Sequence, residues 1–146
     1  MIAKLERAGH LMSILHRTLR RSYDKKLKEF DLTPCQFEVL MILFGEDGLL
    51  LSELGRRVSR DGPTITGVID RMEKKMLVKR KGDPRDRRVV RVVITPQGRN
   101  MEERLSTTKQ QVLEKITKDL STKEIAHLEA ILVKMMRSVE ESDLER

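Results

Sequence analysis

Arg85, Arg87 and Arg88 stand within four residues of one another, and Lys79, Arg80 and Lys81 come shortly before them. Guanidinium groups at that density suit one kind of chemistry. They pair with phosphate or carboxylate oxygens, often two N–H groups at a time. A second group lies upstream. Pro63, Thr64, Thr66, Gly67, Arg71 and Lys74 interleave with Ile65, Val68, Ile69, Met72 and Met76. The apolar members follow the i, i+3, i+4, i+7 spacing of a one-sided helix. The opposite side is built from small, hydroxyl-bearing or basic residues, with Asp70 among them. A helix of that make can lie in the DNA major groove, where low bulk lets backbone and hydroxyls reach base edges. Its N-terminus also favours a nearby phosphate. An arginine-rich loop can enter a minor groove or grip phosphates. As ordinary surface, the same residues would be a solvated helix face and a charged turn that blocks strand pairing.

Cys35 is the only cysteine, so an intramolecular disulfide is impossible. It lies two residues past Thr33, a predicted helix cap, where the helix dipole lowers a thiol pKa and raises its reactivity. It is therefore a candidate redox site, and equally a small hydrophobe at a helix start. His10, His16 and His127 with one cysteine make no readable metal site. Neither a Gly-x-Ser-x-Gly elbow nor a Gly-Lys-Ser/Thr phosphate loop occurs. The expectation is a protein that is not an enzyme and uses no metal or cofactor.

The elements that must position these groups follow from periodicity. Leu5, Ala8, Met12, Leu15 and Leu19 predict a long first helix within residues 1–30, its outer face carrying Arg17, Arg20, Arg21, Lys25 and Lys28. Thr33-Pro34-Cys35-Gln36 reads as a capping box with proline at the first helical position. Phe37, Leu40, Met41 and Phe44 give this second helix its apolar face. Ser52 is expected to cap a short third helix reaching about Val58, and a fourth runs from about Pro63 to Lys75. The period then changes. Leu77–Arg80 and Val89–Ile94 are β-branched runs around a polar Gly- and Pro-containing loop, which is a hairpin with a basic tip. Thr95-Pro96 opens another helix lined by Met101, Leu105, Val112 and Ile116. Ser121-Thr122-Lys123-Glu124 caps a last one striped by Ile125, Leu128, Leu132, Met135 and Val139. The expected fold is mainly α with a small β-hairpin wing, a winged helix-turn-helix with long terminal dimerisation helices.

Charge supports that division. The 146 residues carry a formal net charge of +7, with 38% hydrophobic and 36% charged side chains. Residues 56–99 hold fourteen basic and five acidic groups, whereas residues 31–55 hold five acidic and no basic ones. A basic segment inside a folded domain points to a polyanion, most often nucleic acid. With one Tyr, three Phe and no Trp, base stacking on aromatic platforms is disfavoured, and a duplex partner is favoured over a single strand. No run approaches the ~20 apolar residues of a membrane span, and Met1–His10 lacks the apolar block of a signal peptide, so the cytoplasm is the expected location. The terminal helices carry more apolar surface than a reading lobe of about 65 residues can cover. A homodimer built from both ends of the chain would bury it and present two reading helices on one DNA face.

The run Leu51-Ser52-Glu53-Leu54, with Pro63 to Lys75, Leu77 to Arg80, Asp83 to Arg88 and Ile94 to Arg99, resembles the multiple antibiotic resistance regulator (MarR) family. The resemblance is strongest over residues 33–99 and covers nearly the whole chain. It implies one domain over residues 1–146, with dimerisation helices at 1–30 and 100–146 around a DNA-binding lobe at 31–99. It implies a homodimeric regulator, commonly a repressor, on inverted-repeat double-stranded DNA, released by a small anionic aromatic or lipophilic effector. Ser52, Asp61, Pro63, Thr64, Thr66, Gly67, Arg71, Lys74, Arg85, Arg87 and Arg88 would form the DNA site. Arg88 would meet the minor groove or brace the wing, and an Asp61–Arg88 pair would fix the wing against the reading helix. Asp61 could equally be a helix cap. His10, His16, Arg17, Arg20 and Tyr23 are the polar groups of the first helix that could reach an effector, the last four being the candidate contacts. Competing readings are a non-specific architectural DNA binder, a redox-responsive regulator sensing through Cys35, and an adaptor that has kept the fold without DNA binding.

Overall fold

The structure, a computed structural model, describes residues 1–144 and the side chains of residues 1–140. The chain forms two compact units, Met1–Val112 and a second from Leu113 onward. The first unit opens with α1 (Ile2–Leu27) and a single 3-10 turn, Lys28–Phe30. Next come α2 (Pro34–Gly45), β1 (Leu49–Leu50), α3 (Leu51–Arg57) and α4 (Gly62–Lys74). The hairpin β2 (Val78–Gly82) and β3 (Val90–Ile94), then α5 (Pro96–Arg99), lead into α6 (Glu102–Thr117). The final helix is α7 (Thr122–Leu144).

The expected capping box of α2 is formed. Thr33 Oγ1 accepts from the Gln36 N–H at 3.3 Å, and Gln36 Oε1 accepts from the Thr33 N–H at 3.1 Å. Such a cap is worth about 1 kcal/mol. The capping box of α7 closes the same way, with Glu124 N–H donating to Ser121 Oγ and Glu124 Oε2 accepting from the Ser121 N–H. α3 differs from expectation. It starts two residues earlier, Leu50 occupies the cap position without a side-chain bond, and Ser52 is an exposed residue inside the first turn. The helix after Thr95-Pro96 is also not continuous: α5 is one turn, and a break at Asn100–Met101 separates it from α6.

A short strand that periodicity could not reveal completes the sheet. β1 pairs antiparallel with β3 through Leu49↔Val92 and Leu50↔Arg91, giving the order β1-β3-β2. Leu27, Leu40, Leu43, Leu54, Ile65, Ile69, Met72, Val92 and Leu105 belong to one hydrophobic core and are fully or almost fully buried. Each contributes on the order of 2 kcal/mol by leaving water. Met76, expected in the stripe of α4, is instead exposed. The helix has ended at Lys75, and Met76 takes a left-handed conformation, φ 55°, which turns the side chain outward.

Candidate nucleic-acid interface

α4 starts because Asp61 caps it. The Asp61 carboxylate accepts from the Thr64 N–H at 2.7 Å, and hydrogen bonding from Thr64, side chain and backbone, holds its pKa below the usual carboxylate range. Pro63 follows at the first turn, where its missing N–H is harmless. Ile65, Val68, Ile69 and Met72 are buried, so α4 presents the opposite face outward. That face carries Pro63, Thr64, Thr66, Asp70, Arg71 and Lys74, all exposed, with Gly67 half-buried among them. A Cβ added at Gly67 would meet only Arg71 Nη1, at an ordinary 3.5 Å, so internal packing does not demand glycine there.

The wing tip is shaped by two aspartates. Asp83 accepts from the Arg85 N–H at 2.9 Å and pairs with Arg91 Nε at 3.0 Å, and those two bonds lower its pKa. Asp86 accepts from the Arg88 N–H at 2.9 Å. Arg91 also donates to the Gly48 carbonyl at 3.1 Å, which ties the tip-side half of β3 to the turn before β1. Gly48 sits there at φ 73°, a conformation that suits glycine. Arg85, Arg87 and Arg88 are exposed at the tip, the Arg88 side chain to 95%. The Asp61–Arg88 pair is not formed. Asp61 is engaged in capping, and the nearest acid to Arg88 Nε is its loop neighbour Asp86, at 3.6 Å.

The residue that does join wing to helix is Arg80, which sequence reasoning placed only among the basic residues before the tip. From β2 its guanidinium pairs with Asp70 at 2.8 Å and with Glu73, both on α4, and its Nη2 lies 3.4 Å from the Thr66 carbonyl. Its backbone N–H donates to the same Glu73 carboxylate at 2.7 Å. No sequence signal marks this contact, because it spans a turn between helix and strand.

Elsewhere in the first unit, a cavity of about 490 Å³ gathers residues from several elements. α1 supplies His16, Arg20 and Tyr23, and Arg17 is not part of the lining. α2 supplies Cys35, Phe37, Glu38 and Met41; Arg60, just before α4, and Lys109 of α6 complete the charged set. Tyr23 and Phe37 rings lie 5.4 Å apart, tilted by 34°. Partial burial raises the Glu38 pKa, with Arg60 opposing the rise, and burial also raises that of Tyr23. Four cationic or cation-forming side chains thus share the lining with one carboxyl group and an aromatic wall. Glu38, Arg60 and Lys109 were not legible from sequence, since nothing in it brings them near α1.

Among the described residues no cluster of three or more His, Cys, Asp or Glu side chains is placed to hold a metal, and no helix is long and apolar enough to cross a membrane.

The profile of the MarR family matches residues 32–90. The HTH-type transcriptional regulator YsmB of Bacillus subtilis is 31% identical over 94% of this chain and 92% of its own length. Among solved structures, a variant of MarR from E. coli complexed with operator DNA superimposes with a TM-score of 0.82 at 28% identity, covering 92% of this chain and 97% of that one. BpsR of Bordetella bronchiseptica, whose DNA binding is regulated by 6-hydroxynicotinic acid, gives 0.80 at 28% identity, covering 89% and 98%.

Proposed function

Because this chain belongs to the MarR family of DNA-binding transcriptional regulators, we propose that it is a sequence-specific repressor that binds an inverted repeat as a homodimer. One observation carries the reading: the outward face of α4, with Thr64, Thr66, Gly67, Arg71 and Lys74, stands beside a wing whose Arg85, Arg87 and Arg88 are exposed at the tip. α4 enters the major groove, and the wing arginines reach the adjacent minor groove or its phosphates. Two-fold symmetry sets two such helices about 34 Å apart, one DNA turn. The test is selection from a random duplex pool, followed by anisotropy titrations across a salt series. The selected duplex should bind about a thousandfold more tightly than a scrambled one at physiological salt. Equal affinity with equal, steep salt dependence would establish an architectural binder instead.

A second reading concerns regulation. The cavity beside Tyr23 and Phe37 combines an aromatic wall with His16, Arg20, Arg60 and Lys109, a set that suits an aromatic carboxylate. The chain's likeness to BpsR, whose DNA binding is regulated by 6-hydroxynicotinic acid, supports that class of effector. Arg60 adjoins the cap of α4, so an anion held there acts at the start of the reading helix. Benzoate or nicotinate should then release the selected duplex, and Arg20→Ala with Arg60→Ala should abolish that release without abolishing DNA binding.

A further inference from the structure

We propose that Arg80 is a positioning residue: it locks the wing onto the reading helix through Asp70 and Glu73, and it does not itself contact DNA. The assignment rests on the reading of α4 and the wing as the DNA-binding surface. Arg80 looks like a phosphate ligand from sequence, since it stands between Lys79 and Lys81 in the most basic part of the chain. Its surroundings assign it otherwise. Its side chain is 26% exposed, against 95% for Arg88. One guanidinium nitrogen faces Glu73, the other faces Asp70 and the Thr66 carbonyl, so the fork is spent on α4.

The geometry makes this contact effective at a distance. Arg80 pairs with Val92 at the centre of the β2–β3 hairpin. Its backbone and its side chain are bound to the same Glu73 carboxylate. Any rotation of β2 about α4 would have to break both. The tip carrying Arg85, Arg87 and Arg88 lies farther along the same hairpin, so its direction relative to α4 depends on this joint. The contact also has an electrostatic consequence. Asp70 lies on the exposed face of α4 between Gly67 and Arg71, where a bare carboxylate would repel DNA phosphates. Arg80 offsets that charge from within the protein. A lysine offers a point charge and cannot span two carboxylates and a carbonyl as a planar fork does.

The experiment uses the full chain and a duplex that the wild-type protein has selected from a random pool. Anisotropy titrations across a salt series compare wild type with R80K, R80Q, D70N/E73Q and D70N/E73Q/R80Q. If Arg80 acts through its two carboxylates, both R80K and R80Q weaken binding by roughly tenfold, although R80K keeps the charge. The slope of log affinity against log salt stays at the wild-type value, because no phosphate contact is lost. In the D70N/E73Q background, R80Q adds less than a twofold change, since its partners are already gone. R80K guards against a folding defect in R80Q, and thermal melts of every variant accompany the titrations. A slope lowered by about 0.9 in R80Q is the signature of a lost phosphate contact and overturns the proposal. Wild-type affinity in R80K, or a full R80Q penalty in the D70N/E73Q background, overturns it as well. Failure of the underlying DNA reading is separately visible, as a wild-type protein that enriches no duplex, and it removes this assignment too.

Discussion

At Gly67 helix stability and the proposed approach to DNA would pull in opposite directions. Glycine inside a helix costs roughly 1 kcal/mol relative to alanine. No neighbour excludes a methyl group at this position, since the nearest atom belongs to the flexible Arg71 side chain at 3.5 Å. Gly67→Ala should therefore stabilise the protein by about 0.5–1 kcal/mol in urea titrations. If the α4 face approaches DNA closely, the same substitution should weaken binding to the selected duplex. A stabilised variant with unchanged affinity would contradict the low-bulk argument. Asp61 poses a different question, because the sequence allowed it two roles and the structure shows the cap. With its carboxyl pKa lowered in the folded state, its contribution is complete above the ordinary carboxylate range. It fades as pH falls through the lowered value. Asp61→Ala should lower the denaturation midpoint at pH 7, because the cap is lost. Asp61→Asn should keep most of the cap but lose this part of the acid sensitivity, a difference readable in denaturation midpoints at pH 7 and pH 3.

Elements were legible where a cap chemistry announced them. Thr33-Pro34 with Gln36, and Ser121 with Glu124, specify helix starts through side-chain bonds that the structure contains. The stop of α4 was harder to read, because its left-handed residue, Met76, is not a glycine, whereas the stops at Asp31 and Ser59 were legible. That is why Met76 reads as a core residue in the sequence and stands exposed in the fold. β1 has two residues, too few for alternation to register, and Arg80 reaches its partners across the turn between α4 and β2. That turn is itself held by α5. The Thr95 hydroxyl donates to the Met76 and Leu77 carbonyls, and Gln97 donates to that of Lys75. Gly98 is what lets α5 come so near. A Cβ there would stand 2.2 Å from the Leu77 oxygen and 2.9 Å from an Ile94 side-chain carbon. Gly98→Ala should thus destabilise the first unit by about 2 kcal/mol. Thermal melting of that variant is the check; an unchanged melting temperature would mean that the junction yields freely.

At the scale of the molecule, the features left unsatisfied in one chain are the apolar stripes of its long helices. On α1, Leu5, Leu11, Met12, Ile14 and Leu15 are exposed. On α7 the same holds for Leu128, Ile131, Leu132, Met135 and Val139, among others. Apolar surface left in water forgoes about 25 cal/mol per Å², and contiguous patches of this extent are uncommon on soluble monomers. Spacing revealed Leu5, Met12 and Leu15 on α1 and Leu128, Leu132, Met135 and Val139 on α7, but not Leu11, Ile14 or Ile131; what covers them was not readable, because a sequence does not display its second copy. The proposed homodimer would cover the excess and would supply the symmetry that an inverted repeat requires. Leu128→Glu combined with Leu132→Glu places two charges one turn apart on α7. The wild-type protein should sediment near twice its 17.0 kDa chain mass, and the double variant near the single-chain value. Because two linked half-sites multiply rather than add, the variant should also lose about a hundredfold in affinity for the selected duplex. It should keep wild-type affinity for a duplex carrying one half-site, since α4 and the wing are untouched. A double variant that remains dimeric would place the interface elsewhere, and a monomeric variant with full affinity for the inverted repeat would separate DNA recognition from dimerisation altogether.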